Sequence, residues 1–330
     1  MIRLFVPLLM VAALIASGCD KANQRVHRIG ILCGGDAFTV AIDGFKKGMA
    51  EEGYREGETV VYEVRMGKSD RIRQSEIVRT FVSEKVDLIF AFPTGAALAA
   101  KEGTAGTAIP VLFSIANTEG TKLVDSVRAP GMNITGVRLE VADVVVKRLE
   151  LLLQMAPKVR QVLLLHDPDY PASVQSLAAL KAAAAPLGVR TTVIPLTSAD
   201  SAQSVTARLD RLLNKEGSGR TAIINLPTEV TNDRSIWDGV SAFASRHRLP
   251  LVGGAPWQVR QGALFTYTGS HVEACRLAAP LAVKILTGTQ AGSIPVVTAE
   301  PELRLNAGVA RKLGLTITDG IIKMATEVVR

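Results

Sequence analysis

The chain has 330 residues, is 48% hydrophobic but only 5% aromatic, and carries a formal charge of +7. Its 38 Lys and Arg are spread along the chain with no dense run, which describes a basic solvated surface and argues against a nucleic-acid patch. Beyond the N-terminus no segment is long and apolar enough to span a membrane, which takes about 20 residues.

Arg3 gives a positive start, Leu4 to Ile15 form an apolar run broken only by Pro7, and Ala16-Ser17-Gly18-Cys19 follows. Charge, apolar stretch and small residues in that order mark a secretory signal, not a folded element. Ending on a cysteine, the run resembles a bacterial lipobox, with Ala16 where leucine is more usual. That implies removal of residues 1–18 and lipidation of Cys19, since several acyl chains together hold a protein to a membrane stably. The competing reading is an ordinary signal peptide with Cys19 incidental. Residues 19–26 are short and polar, a tether. The roughly 310 residues that remain make two domains at about 100–200 residues each. Cys33 and Cys275 are the other cysteines. Thiols so distant in sequence cannot be paired from it, and they read as two small buried hydrophobes.

Strands and helices then alternate. His27–Gly34 reads as a buried strand. Phe38, Ile42, Phe45 and Met49 recur at helical spacing, with Gly53 as the stop. A strand at Thr59–Arg65, a helix at Ile72–Lys85, a strand at Val86–Phe92, a helix at Thr94–Gly103 and a strand at Ile109–Ile115 follow. After a gap the pattern restarts. Helices are expected at Val144–Met155, Ser173–Leu187, Ser201–Leu213 and Ser235–Arg246. Strands are expected at Gln161–His166, Arg190–Leu196, Thr221–Leu226 and Pro250–Gly254. Runs of βα units build parallel sheets with helices on both faces, so the fold class is α/β, two doubly wound lobes. Ligands of such sheets bind beyond the carboxyl ends of the strands. Two lobes facing each other by those ends enclose a cleft that closes about a hinge.

Several blocks are similar to one family. Gly44-Phe45-Lys46-Lys47-Gly48-Met49-Ala50-Glu51-Glu52-Gly53-Tyr54 is the first, and Val86-Asp87-Leu88-Ile89-Phe90-Ala91-Phe92-Pro93-Thr94 the second. Ile109-Pro110-Val111-Leu112-Phe113, Pro130-Gly131-Met132-Asn133-Ile134-Thr135-Gly136-Val137, Lys284-Ile285-Leu286-Thr287-Gly288 and Leu305 to Leu315 follow in order. Together they resemble the ABC-transporter substrate-binding family that includes tryptophan- and tyrosine-binding lipoproteins. The resemblance implies a type I periplasmic-binding fold, a permease and ATPase as partners, and an amino acid or related ligand. It also implies a hinge of several chain crossings, placed near Arg138, before Gly262–Tyr267 and at Pro295–Val297. The lobes are then residues 27–138 plus 262–294 and residues 139–261 plus 295–330. A monomer is expected. The same cleft serves a second reading, a ligand-sensing lipoprotein that presents its ligand to a membrane signalling partner.

The strand-end loops supply the candidate ligand contacts. In Pro93-Thr94-Gly95, free backbone N–H groups and the helix dipole suit a carboxylate, with Thr94 either an N-cap or a contact. Asp36, with Phe38 close behind it, follows the Gly34-Gly35 turn and is either a cap or a contact. Ser114 and Asn117 end the strand at 109–115; the family more often has Asp before Pro where Asn117 stands. In the second lobe Tyr170 is a stacking or loop residue, and Ser173 is expected as an N-cap. Pro227-Thr228-Glu229 resembles the family's Pro-Thr-Asp, whose acid binds the ligand's amine; the alternative for Glu229 is a first-turn acid favoured by the helix dipole. Trp257 is either an aromatic wall or a packed residue near the hinge.

Enzyme readings fare worse: only His166, at a strand end beside Asp167, is positioned for chemistry, and it reads first as a loop or packing histidine, so a lipid-anchored enzyme on this fold stands only as a third, weaker alternative. His27, His166, His247 and His271 form no HExxH, and no GxSxG elbow or GxxxxGK[ST] loop occurs. Gly34-Gly35-Asp36 is not a GxGxxG fingerprint. No cysteine–histidine spacing suits zinc, so neither cofactor nor metal is expected.

Overall fold

A computed structural model describes residues 25–216, 220–228 and 230–330. The signal and Cys19 lie outside the described residues. In chain order the elements begin β1 (His27–Cys33), α1 (Val40–Glu51), β2 (Val60–Met66), α2 (Arg71–Ser83), β3 (Leu88–Phe92), α3 (Thr94–Gly103), β4 (Val111–Ala116) and β5 (Ile134–Leu139). The second series is α4 (Ala142–Met155), β6 (Gln161–His166), α5 (Pro171–Ala184), β7 (Arg190–Pro195), α6 (Ala202–Glu216), β8 (Thr221–Asn225), α7 (Arg234–Arg246), β9 (Leu251–Gly253) and β10 (Phe265–Gly269). Then come α8 (His271–Arg276), α9 (Ala279–Leu286), β11 (Val297–Ala299), β12 (Pro301–Asn306), α10 (Ala307–Lys312), α11 (Asp319–Met324) and β13 (Ala325–Val329).

These strands make two sheets. The first runs β11-β5-β4-β3-β1-β2 and the second β13-β12-β10-β9-β8-β6-β7. Renumbered within each lobe, β2-β1-β3-β4-β5 and β7-β6-β8-β9-β10 are the same order, the 2-1-3-4-5 winding. All pairs are parallel except β10 with β12. Strands β3, β4, β6 and β8 are buried along their whole length, as parallel strands covered on both faces must be.

Each sheet separates two apolar layers. Beside the first sheet, Phe45 stacks on Phe90 at 4.0 Å and Phe90 tilts against Phe92 at 5.0 Å. In the same layer lie Ala274 and Cys275 of α8, Ala278 between α8 and α9, and Ala282 of α9, so the late helices complete the early lobe. Cys33 and Cys275 are free thiols buried in that layer. Local signals fix the helix starts: Asp70 accepts from the backbone N–H of Ile72 and Arg73, and Asp233 from Ser235 and Ile236.

The chain passes between sheets at Glu140, at Ser270 and at Glu300. This corrects the expected crossings. β10 pairs with β9 and β12 in the second sheet, although residues 262–294 were assigned to the first lobe. β11 pairs with β5 in the first sheet, although residues 295–330 were assigned to the second. Both shifts have one cause. An apolar strand suits either sheet, and membership is decided by partners distant in sequence.

Candidate functional site

The carboxyl ends of both sheets face one cleft with an open mouth. Phe38, Pro93 and Thr94 reach it from the loops after β1 and β3; Tyr170, Leu226, Pro227 and Thr228 reach it from the loops after β6 and β8. Those are the two points where strand order reverses, one in each lobe, the places where doubly wound sheets bind ligands. Leu139, Glu140, Val141 and His271 close the hinge side.

Five of the described candidates line this wall: Phe38, Thr94, Asn117, Tyr170 and Thr228. Pro93 occupies the N-cap place of α3, so Thr94 is the first helical residue and not the cap. Its Oγ1 accepts from the backbone N–H of Asn117 at 3.0 Å, tying the ends of β3 and β4 together. Asn117 donates from Nδ2 to Glu119 O at 3.2 Å and to Gln175 Oε1 at 2.9 Å. Gln175 is on α5, so the second bond crosses the cleft from lobe to lobe. Beside it Ile115 has φ 53°, where β4 slips register against β5. A β-branched residue in the left-handed region costs roughly 1–3 kcal/mol, a strain found where a site needs a particular backbone course. Thr228 donates to Asp167 Oδ2 at 3.1 Å and accepts from Val230 N at 3.1 Å.

The other candidates stand elsewhere. Asp36 is exposed on a single turn at Asp36–Phe38 and does not line the cavity. Gly95 lies on the outer face of α3, toward Gln74. Ser114 is fully buried, off the wall. Ser173 is not an N-cap, a place held by Tyr170. It is fully buried, its Oγ accepts from Asp167 N at 3.0 Å and lies 3.0 Å from His166 Nδ1. Trp257 packs edge-on to Trp237 at 6.1 Å with the Arg234 guanidinium 4.7 Å over its ring, the packed alternative. Glu229 lies outside the described residues.

Sequence reasoning missed Arg148, Asn225, Gly254, Thr268 and His271 on the wall. Asn225 exchanges bonds with Thr231 Oγ1, while Gln258 Oε1 accepts from Gly254 N at 2.7 Å and Ala255 N at 3.1 Å. This buried network shapes the second lobe's contribution. Arg148 donates to Tyr267 O at 2.8 Å, Asn225 O at 3.2 Å and Gly254 O at 3.3 Å. Its signal was present: Val144, Val145, Arg148, Leu149 and Leu152 form one buried face, so a charge stands inside an apolar stripe.

Burial first, then the charge of Arg304, pushes the His271 imidazole down to about 4. His166 is lowered as well, by burial, against the opposing pull of Asp167. Between the ordinary histidine value near 6.5 and about 4, the unfolded chain takes up a proton that folded His271 refuses. Stability therefore falls as pH falls through that window, by up to about 1.4 kcal/mol per pH unit from this group. The urea midpoint is expected to drop between pH 7 and pH 4.5, and His271→Phe to flatten the decline. An unchanged slope in the mutant would assign the decline to other groups.

The family described as ABC transporter substrate binding protein matches residues 28–329. The chain belongs to this family. It is a family of substrate-binding proteins, ligand binders and not enzymes, that work with ABC transporters. A tyrosine-binding protein of Clostridioides difficile (strain R20291) is 24% identical over 300 residues, 90% of this chain and 83% of that protein. The ABC domain of a Streptococcus pneumonia protein, solved in complex with L-Trp, has a TM-score of 0.80 at 21% identity, covering 92% of this chain and all (100%) of that one. A conserved domain protein from Vibrio cholerae has a TM-score of 0.79 at 24% identity, covering 92% and 99%. These likenesses establish the two-lobed type I fold of a substrate-binding protein. Among the described residues no helix is long and apolar enough to cross a membrane, and no cluster of His, Cys, Asp or Glu is suited to a metal ion.

Proposed function

We propose that this substrate-binding protein is an extracytoplasmic lipoprotein, anchored through Cys19, that captures an amino acid or related zwitterion and passes it to a permease and its ATPase. The carrying observation is the cavity between the two switch points. Its lining combines apolar Phe38, Ile115, Leu139, Val141, Val144 and Leu226 with polar Thr94, Asn117, Arg148 and Thr228. Such a wall suits a small molecule with an apolar centre and charged termini. The start of α3 beside Thr94 takes the carboxylate and Glu229 takes the amine, while Phe38, Asn117, Tyr170 and Thr228 complete the contacts. The tyrosine and L-Trp named for the two relatives support this ligand class.

A thermal-shift screen of the soluble chain against amino acids, nucleosides, sugars and small acids tests the reading. A ligand at 100 times its Kd is expected to stabilise the fold by about 2.7 kcal/mol. A shift produced by sugars alone would overturn the zwitterion. For the anchor, Cys19→Ala is expected to move the protein from the membrane fraction to the soluble one. A mutant that fractionates like the wild type would leave Cys19 incidental.

A further inference from the structure

We propose that Arg148 is an anion anchor of this site and that the ligand presents a carboxylate to it. The proposal rests on the solute-binding reading and narrows it. Arg148 lies on α4, the helix that follows the first crossing, and its side chain runs to the carboxyl edge of the second sheet. There it ties together the ends of three neighbouring strands, donating to Tyr267 O of β10, Asn225 O of β8 and Gly254 O just after β9. A guanidinium has five N–H donors in a planar fork. Three are used by these carbonyls, one from each nitrogen, which leaves one N–H on each terminal nitrogen of a side chain that lines the cavity.

The charge is the second observation. Arg148 is 2% exposed, and among the described residues no carboxylate pairs with it. The arginines next in burial are treated differently. Arg138 pairs with Glu119 and Glu140, Arg208 with Asp200, and Arg304 with Glu302 and Glu327. A buried cation without a counter-ion is costly, and carbonyl dipoles replace only part of its hydration. A ligand carboxylate would supply the missing charge on the two free N–H groups, in the bidentate geometry that arginine favours. Arg148 shares the wall with Val144, Asn225, Gly254 and Thr268, and a ligand that fills the space displaces the water that would screen its charge. A structural tie alone needs the three carbonyl bonds but not a position on the cavity wall.

The carboxylate has two sources: an acidic side-chain group of an amino acid whose α-carboxylate sits at the start of α3, or the α-carboxylate itself, which then lies on Arg148 in place of α3. The test uses matched acid and amide pairs on the purified soluble chain. L-tryptophan with L-tryptophanamide and L-tyrosine with L-tyrosinamide vary the α-carboxylate; L-glutamate with L-glutamine varies the side chain. Titration calorimetry is expected to show at least one acid binding the wild type on the order of tenfold or more tighter than its amide. The pair that shows it identifies the source. In Arg148→Gln that ratio is expected to collapse toward one, while Arg148→Lys keeps part of it. A structural tie would weaken acid and amide alike and leave the ratio unchanged. Equal binding of acid and amide by the wild type, or a wild-type ratio in Arg148→Gln, would overturn the proposal. The wild-type ratio and Arg148→Lys decide it should Arg148→Gln not fold. A wild type that binds only uncharged solutes would also overturn it, yet leave the solute-binding reading standing.

Discussion

Gly44→Ala is expected to destabilise the protein by about 2 kcal/mol or more, while Gly95→Ala leaves it neutral or slightly more stable. Both glycines sit in helices, where alanine has the higher propensity by roughly 0.8–1 kcal/mol. The difference is what a new methyl group meets. On α1, a Cβ at Gly44 would lie 2.2 Å from Val272 O, and one at Gly48 would lie 2.7 Å from Arg276 O and 2.8 Å from Ala279 Cβ. Backbone carbonyls cannot rotate away, so α1 and α8 must separate, and overpacking of this kind costs about 1–3 kcal/mol, occasionally more. Separation also lifts Ala274 and Ala278 from the core they complete. On α3, a Cβ at Gly95 meets only Gln74 Oε1 at 3.7 Å, an ordinary contact. Urea denaturation of both mutants checks this. A Gly44→Ala mutant as stable as the wild type would mean that the helices are not in close contact.

Gly44 and Gly48 also show what the sequence could and could not convey. Their four-residue spacing was visible, and it was one of the blocks that resembled a family. The reason for the spacing was not visible, because the helix they press against begins more than 200 residues later, at His271. The alternation of strands and helices was legible for the opposite reason. A parallel strand covered on both faces writes its burial as an unbroken apolar run, as Leu88–Phe92 does. Where the chain crosses between lobes is a question of long-range pairing, and there β10 and β11 went to the sheets opposite to those expected. β12 and β13 sit at the edge of the second sheet and were not anticipated as strands.

The site divides in the same way. The rule that ligands meet strand ends located Thr94 and Thr228, because each follows a strand closed by proline. It also collected Ser114 and Ser173, which end near strands but point into the core. A loop's place in sequence gives its edge of the sheet, not the direction of each side chain. Arg148 was overlooked because a charged residue in a helix is ordinarily assigned to solvent. Its burial depends on carbonyls from three strands that the helix does not precede directly.

Glu229→Gln is expected to weaken binding of a zwitterionic ligand by well over tenfold, and Thr94→Ala by less. Thr228, the residue before Glu229, lines the cavity and is held to Asp167, so the chain reaches the ligand side at this point. Removing one partner of a desolvated, hydrogen-bonded charge pair costs about 2–5 kcal/mol. Glutamine keeps the shape of glutamate and loses only the charge, so the fold is expected to persist. At the other end the backbone N–H groups at the start of α3 survive Thr94→Ala, and an anion still finds the helix dipole. That mutation also frees the buried Asn117 N–H that Oγ1 now accepts, a loss of about 1–3 kcal/mol in stability. Titration calorimetry separates the two effects, since Thr94→Ala lowers melting temperature more than affinity and Glu229→Gln does the reverse. Equal affinity of Glu229→Gln and wild type would remove Glu229 from amine binding; since α7 starts only at Arg234 behind its Asp233 cap, the first-turn helix-dipole reading is not supported either.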